Sequence, residues 1–208
     1  MPKSSSPLST SLTRSHLEAI GSVAAQWSSL ESSMISAICK VAATNLHVTV
    51  VLAGPSAFAS WVDMLIVFAR SSEDHKHKEK MLDSLCHLLL KLQRLRNYIV
   101  HASWMDQKRG IGLIARVMDP GITSAKDKAK GIGIPKRGRD VLVFVHWTAP
   151  QMRAVAKLIE KARLMLVELS HRQKPTSPQE RLAHALMDQT ILRRIRTMLD
   201  SLPDPFQK

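Results

Sequence analysis

The stretch LDSLCHLLLKLQRLRNYIVH, residues 82–101, decides the fold. Leu82, Leu85, Leu88, Leu89, Leu92, Leu95 and Ile99 recur in steps of three and four, the period of one helix face. This is the strongest helical text in the chain, and the helix it predicts runs from about Ser72 to Trp104. At about 100° per residue, Arg96 falls in the middle of the leucine face. Asn97 and His101 lie about 100° and about 140° round from it, one turn apart along the same side. An arginine facing a core is costly unless it is paired or opens onto a cleft.

On the N-terminal side, Leu17, Ile20, Ala24, Trp27, Met34, Ile38 and Val41 predict a long helix starting at Thr13 or Ser15, with Glu31 inside the same stripe. Thr44-Asn45 reads as its stop. His47–Leu52 is β-branched and fits a strand, a final helical turn or an apolar link. After Gly54-Pro55-Ser56, a further helix runs through Phe58, Trp61, Leu65 and Phe68 to Arg70, and the charged stretch SSEDHKHKEK leads into the central helix.

On the C-terminal side the text turns glycine-rich, at Gly110-Ile111-Gly112, Pro120-Gly121, Gly131-Ile132-Gly133 and Lys136-Arg137-Gly138-Arg139. Leu113–Met118 and Val141–Trp147 have strand character, so residues 111–147 read as a β-hairpin. Its tip, Lys126 to Arg139, holds six Lys/Arg against one Asp. Thr148-Ala149-Pro150-Gln151 signals a helix start, as does the S-x-x-E box Ser177-Pro178-Gln179-Glu180. The helices they open run to about His171 and about Ser201, and the second carries Arg193, Arg194 and Arg196. The expected fold is all-α. An antiparallel helical bundle spans residues 13–175, with the small hairpin inserted before the fourth helix. A C-terminal helix follows in 176–208, and residues 1–12 form a disordered lead.

Composition sets the class. The 208 residues are 45% apolar and 23% charged, which fits a soluble globular chain, and four Trp, four Phe and one Tyr are too few for a core of aromatic-rich strands. Thirty Lys/Arg against seventeen Asp/Glu leave a net charge of +13, which favours nucleic acid or another polyanion. Charge alone fits a specific ligand and general adhesion equally well. Cys39 and Cys86 have no C-x-x-C spacing and read as buried thiols in a reducing compartment. The opening MPKSSSPLST lacks an apolar segment, and Gly54-Pro55 interrupts the most apolar stretch, His47–Ala69. Neither a secretory leader nor a membrane span is expected, and the expected location is cytoplasmic.

Phosphate-cradling, dinucleotide, zinc-protease and serine-hydrolase motifs are absent from the sequence. His75 and His77 sit on a charged segment and read as surface histidines, so no metal or cofactor is expected. Interest centres on Arg96, Asn97 and His101. One reading is structural: Glu31 on the first helix pairs with Arg96 and fixes helix register. The other places Arg96, Asn97 and His101 around a phosphate, since histidine moves protons near neutrality and arginine offers phosphoryl oxygens a planar fork of donors. The place of Arg96 and Glu31 on their stripes predicts that the two helices pack together and bring these side chains near each other. Trp27 and Trp104 suit core or edge packing better than base stacking.

Arg96-Asn97-Tyr98-Ile99-Val100-His101 resembles the R-x4-H motif of the HEPN superfamily, in its more specific form R-N-x-x-x-H, late in the third helix of a small bundle. The resemblance implies a metal-independent endoribonuclease acting on single-stranded RNA, in the manner of toxins and antiviral effectors. It also implies a homodimer whose two motifs face one cleft. Arg96, Asn97 and His101 would then be catalytic, with Glu31 supporting Arg96 and Tyr98 contacting a base or the partner subunit. Lys126, Lys128, Lys130, Lys136, Arg137 and Arg139 would form a backbone-binding arm, although a merely solvated loop fits them nearly as well. An inhibitory or regulatory protein partner fits the same picture. Other members of the superfamily have lost activity, so the alternative is a non-catalytic module that binds nucleic acid or a protein partner.

Overall fold

A computed structural model of the chain describes residues 12–54, 57–71, 79–101, 103–107, 110–117, 141–145, 147–171 and 176–202. The elements are α1 (Arg14–Val41), α2 (Leu46–Ala53), α3 (Phe58–Ser71), α4 (Glu79–Val100), β1 (Ser103–Gln107), β2 (Gly110–Val117), β3 (Val141–Val145), α5 (Ala149–His171) and α6 (Pro178–Asp200). Residues 1–11 and the basic tip from Lys126 to Arg139 lie outside the described residues.

The described chain is mostly helical, and α4 is its centre. It touches α1, α3, α5, α6 and β2, so its buried arc is wider than the leucine face alone. Leu85, Leu88, Leu89 and Leu92 are wholly buried, each burial stabilising by roughly 1.5–3 kcal/mol. The most extensive packing joins α1 to α5. Ala19 and Ala37 on α1, and Ala156 and Ala162 on α5, are small enough to let the two helices approach closely. Arg153, early in α5, donates to Ser15, early in α1; Lys40 and His171 meet at the far ends. The two helices therefore run in the same direction. This corrects the expected antiparallel order. The chain between α4 and α5 is long enough to return to the start of the bundle, as a bundle with a crossover connection requires. By contrast, α3 turns back on α4, where Arg70 reaches Glu79 and Asp83.

Three local expectations also change. Asn45 does not stop a helix but starts one: its side chain accepts from Val48 N–H at 2.9 Å and caps α2. Ala43, at φ 50°, makes the left-handed turn that separates α1 from α2. The central helix ends at Val100, short of Trp104, because residues 103–107 form β1. The expected two-stranded hairpin is therefore replaced by a three-stranded antiparallel sheet in the order β1-β2-β3. β1 pairs with β2 from Ser103↔Ile114 to Gln107↔Gly110, and β2 pairs with β3 from Leu113↔Val145 to Val117↔Val141. Ladder bonds to β2 claim the backbone that helical periodicity had assigned to α4.

Both C-terminal helices begin with their caps in place. Thr148 N–H donates to Gln151 Oε1 at 2.8 Å, and Gln151 N–H returns to Thr148 Oγ1 at 3.3 Å. Ser177 and Glu180 form the full capping box. Glu180 is held below the usual carboxylate range by hydrogen bonds from Thr176 and Ser177. α6 docks on α4 through Ile191, Ile195 and Met198, while Leu182 and Leu186 in its first half are exposed.

Candidate functional site

The candidate site sits where α4 ends. Asn97 O accepts from the backbone N–H of His101 at 3.1 Å, so the chain keeps its helical path just past Val100 and holds His101 one turn above Asn97. Both side chains are exposed and Arg96 is half-buried. Arg96 Nη1 donates to Asn97 Oδ1 at 3.0 Å and contacts His101 Nε2 at 2.7 Å. A guanidinium has no acceptor and keeps its charge, so Nε2 must be the accepting nitrogen. The neutral ring therefore carries its proton on Nδ1.

Trp27 lies on the other side of Arg96. The guanidinium carbon stands 6.0 Å from the centre of the indole ring, within the range of a cation–π contact. Trp27 is 2% exposed and tilts against Phe58 at 4.6 Å between ring centres, so its ring cannot turn freely. Its indole N–H donates to Glu31 Oε1 at 2.7 Å. The expected Glu31–Arg96 ion pair does not form among the described residues; the indole stands between them, bonded to the carboxylate and facing the guanidinium. The two helices do pack together, with Trp27 as the link. Arg96 Nε is buried and has no hydrogen-bond acceptor among the described residues.

Arg96 thus keeps an un-neutralised charge. Its partners are an amide oxygen, an imidazole nitrogen and a π face, all of them neutral. Arg70, at the other end of α4, is held by two carboxylates, with Nε 2.8 Å from Glu79 Oε1 and Nη2 3.2 Å from Asp83 Oδ2. These contacts raise its pKa, the hydrogen bond that Arg70 donates to Glu79 contributing most. Of these two arginines, Arg96 is the one left without a carboxylate among the described residues, free to attract an anion.

Tyr98 departs from its expected place. It is 7% exposed. Buried this far, it does not offer its ring to a base or a second subunit. The six basic residues Lys126, Lys128, Lys130, Lys136, Arg137 and Arg139 lie outside the described residues. Sequence reasoning missed the role of Trp27, whose position on the same stripe as Glu31, four residues earlier, was the available signal. Among the described residues, no group of three or more His, Cys, Asp or Glu side chains converges as a metal site, and no helix is long and apolar enough to cross a membrane.

Compared with known proteins, the chain matches no family model, no curated sequence and no solved structure.

Proposed function

We propose that this chain is a HEPN-like, metal-independent endoribonuclease that cleaves single-stranded RNA. The observation that carries the reading is the hydrogen-bonded cluster of Arg96, Asn97 and His101, which presents a charged guanidinium and a neutral imidazole together at the solvent-facing end of α4. The chemistry is transesterification. The ribose 2′-hydroxyl attacks the adjacent phosphorus, the bond to the 5′-oxygen breaks, and the products are a 2′,3′-cyclic phosphate and a 5′-hydroxyl. A scissile phosphate competes for Arg96, because a guanidinium prefers an anionic oxygen to an imidazole nitrogen. That exchange frees Nε2 of His101 to take the 2′-hydroxyl proton, while Arg96 balances the charge growing on the phosphorane. Asn97 holds Arg96 in register.

One imidazole per motif supplies a base or an acid, so a homodimer with two motifs facing one cleft completes the pair. A cytoplasmic toxin or defence effector under the control of an inhibitory protein suits such an activity. The test is RNA cleavage by the purified chain in EDTA, with His101→Ala as control and a second substrate carrying one deoxynucleotide at the mapped site. The expected results are a 2′,3′-cyclic phosphate end, no cut at the deoxy position, and a rate about 10²–10⁴-fold lower for His101→Ala at unchanged helicity. Cleavage at the wild-type rate by His101→Ala or on the deoxy substrate overturns the mechanism, and the non-catalytic binding module then becomes the better reading.

A further inference from the structure

α4 does more than end in the motif. Taking about 100° per residue, Lys80, His87, Lys91, Arg94, Asn97 and His101 fall within about 120° of one another on its outer side, and all six are exposed. Together they make a ridge roughly 31 Å long at 1.5 Å of rise per residue. α4 has only two acidic residues, Glu79 and Asp83, and Arg70 binds both. From Ser84 onward the helix carries no carboxylate. Neither Lys91 nor Arg94 is in an ion pair among the described residues. By contrast, Arg14 is paired with Glu18, and α5 carries Glu160 and Glu168 among its basic residues.

We propose that this outer ridge of α4 is the track for the phosphate backbone of a single-stranded polynucleotide, with Lys91 and Arg94 as its principal contacts and His101 at its end. α6, which docks on α4, exposes Arg193, Arg194 and Arg196 on the half that carries its buried residues. Anionic lipid is the weaker match. A helix that lies in a membrane surface needs an exposed apolar flank, and of the apolar residues within this arc Leu90 is half-buried and Tyr98 buried. The proposal takes its direction, toward His101, from the ribonuclease reading of the motif; the contact with phosphate itself does not depend on cleavage.

The test measures binding of the full chain to a labelled single-stranded 2′-deoxy oligonucleotide of about 12 nucleotides, which cannot undergo the cleavage proposed above. Lys91→Gln/Arg94→Gln is compared with Lys157→Gln/Lys161→Gln, an exposed pair on α5 that removes the same charge. The ridge pair should flatten the slope of log affinity against log salt by about 1.4, at about 0.7 per phosphate contact, and weaken binding roughly ten- to thirtyfold near 0.1 M salt. The α5 pair should leave the slope unchanged. Equal effects from the two pairs, or none from the ridge pair, overturn the proposal. So does a ridge pair that loses binding to phosphatidylserine vesicles but keeps the wild-type oligonucleotide slope. If the slope changes as expected while wild type and His101→Ala both fail to cut RNA, the track stands and the ribonuclease reading falls.

Discussion

The two ends of α4 each hold an arginine, and the two are treated in opposite ways. Arg70 comes across from α3 and meets two carboxylates on the first turns of α4, which cancel its charge. Arg96 belongs to the last turn and is surrounded by an amide, an imidazole and an indole face, which orient it and leave its charge standing. The first arrangement ties a helical hairpin together. The second keeps a cation ready for an incoming anion, and it does so with uncharged partners whose desolvation is cheaper than that of a buried carboxylate.

That contrast can be broken, beginning with the core that joins the ends. Leu89 is wholly buried midway along α4, and Leu89→Ala should cost about 2–5 kcal/mol, read by denaturant unfolding. A loss under about 1 kcal/mol would mean that the two ends are not braced by a common core. Cys86 gives a second readout on the same stretch. Burial, with Asp83 and Asp63 adding to it, pushes its thiol up to about 12, so it should resist alkylation at pH 8 in the folded chain and react on unfolding. The sign follows: the unfolded chain ionises this thiol first, so its contribution to stability fades as pH rises past the ordinary thiol range.

A smaller effect separates the arginines themselves. Arg96→Met should shift stability by about 1 kcal/mol, since it removes a cation–π contact and relieves a buried donor that has no acceptor. RNA cleavage should nevertheless be lost. Arg70→Met should cost less than Arg96→Met, since exposed ion pairs contribute little, and should leave cleavage intact. If Arg96→Met unfolds the protein while Arg70→Met stops cleavage, the assignment of the two ends is reversed. The least effect is one of salt. The loss caused by Arg70→Met should vanish near 1 M salt, where the Debye length is about 3 Å, whereas the Arg96 contacts to neutral partners should not weaken.

Two helix starts were legible in the sequence because a local hydrogen bond fixes them, while the equally local Asn45 cap was read as a stop. The Thr148–Gln151 and Ser177–Glu180 pairs close within one turn and need nothing from the rest of the fold. The placing of Asn97 and His101 one turn apart was legible too, but the end of α4 was not, since the helix stops at Val100 and not at Trp104. Features that depend on distant partners were not. β1 exists because β2 pairs with it, and its own text continued a helix. α2 is apolar on all sides, so periodicity says nothing about its type, and only the Asn45 cap distinguishes it from a strand. Glu31 and Arg96 were rightly placed on facing stripes, but two facing stripes do not reveal that an indole stands between them.

The side-by-side arrangement of α1 and α5 has a consequence for how the protein is made. The largest interface among the described residues joins α1 to a helix that begins more than a hundred residues later, so it is a contact of high sequence separation. During synthesis α1 emerges early and waits, with Ala19, Val23, Leu30 and Met34 uncovered, until α5 has left the ribosome. Contacts of this kind slow folding, because a long loop must close before they stabilise anything. A chain truncated before residue 149 therefore lacks the principal partner of its first helix and is expected to aggregate or be degraded. With Arg96, Asn97 and His101 as the proposed active centre, such a delay keeps the nascent motif apart from a finished scaffold until the last long helices are in hand.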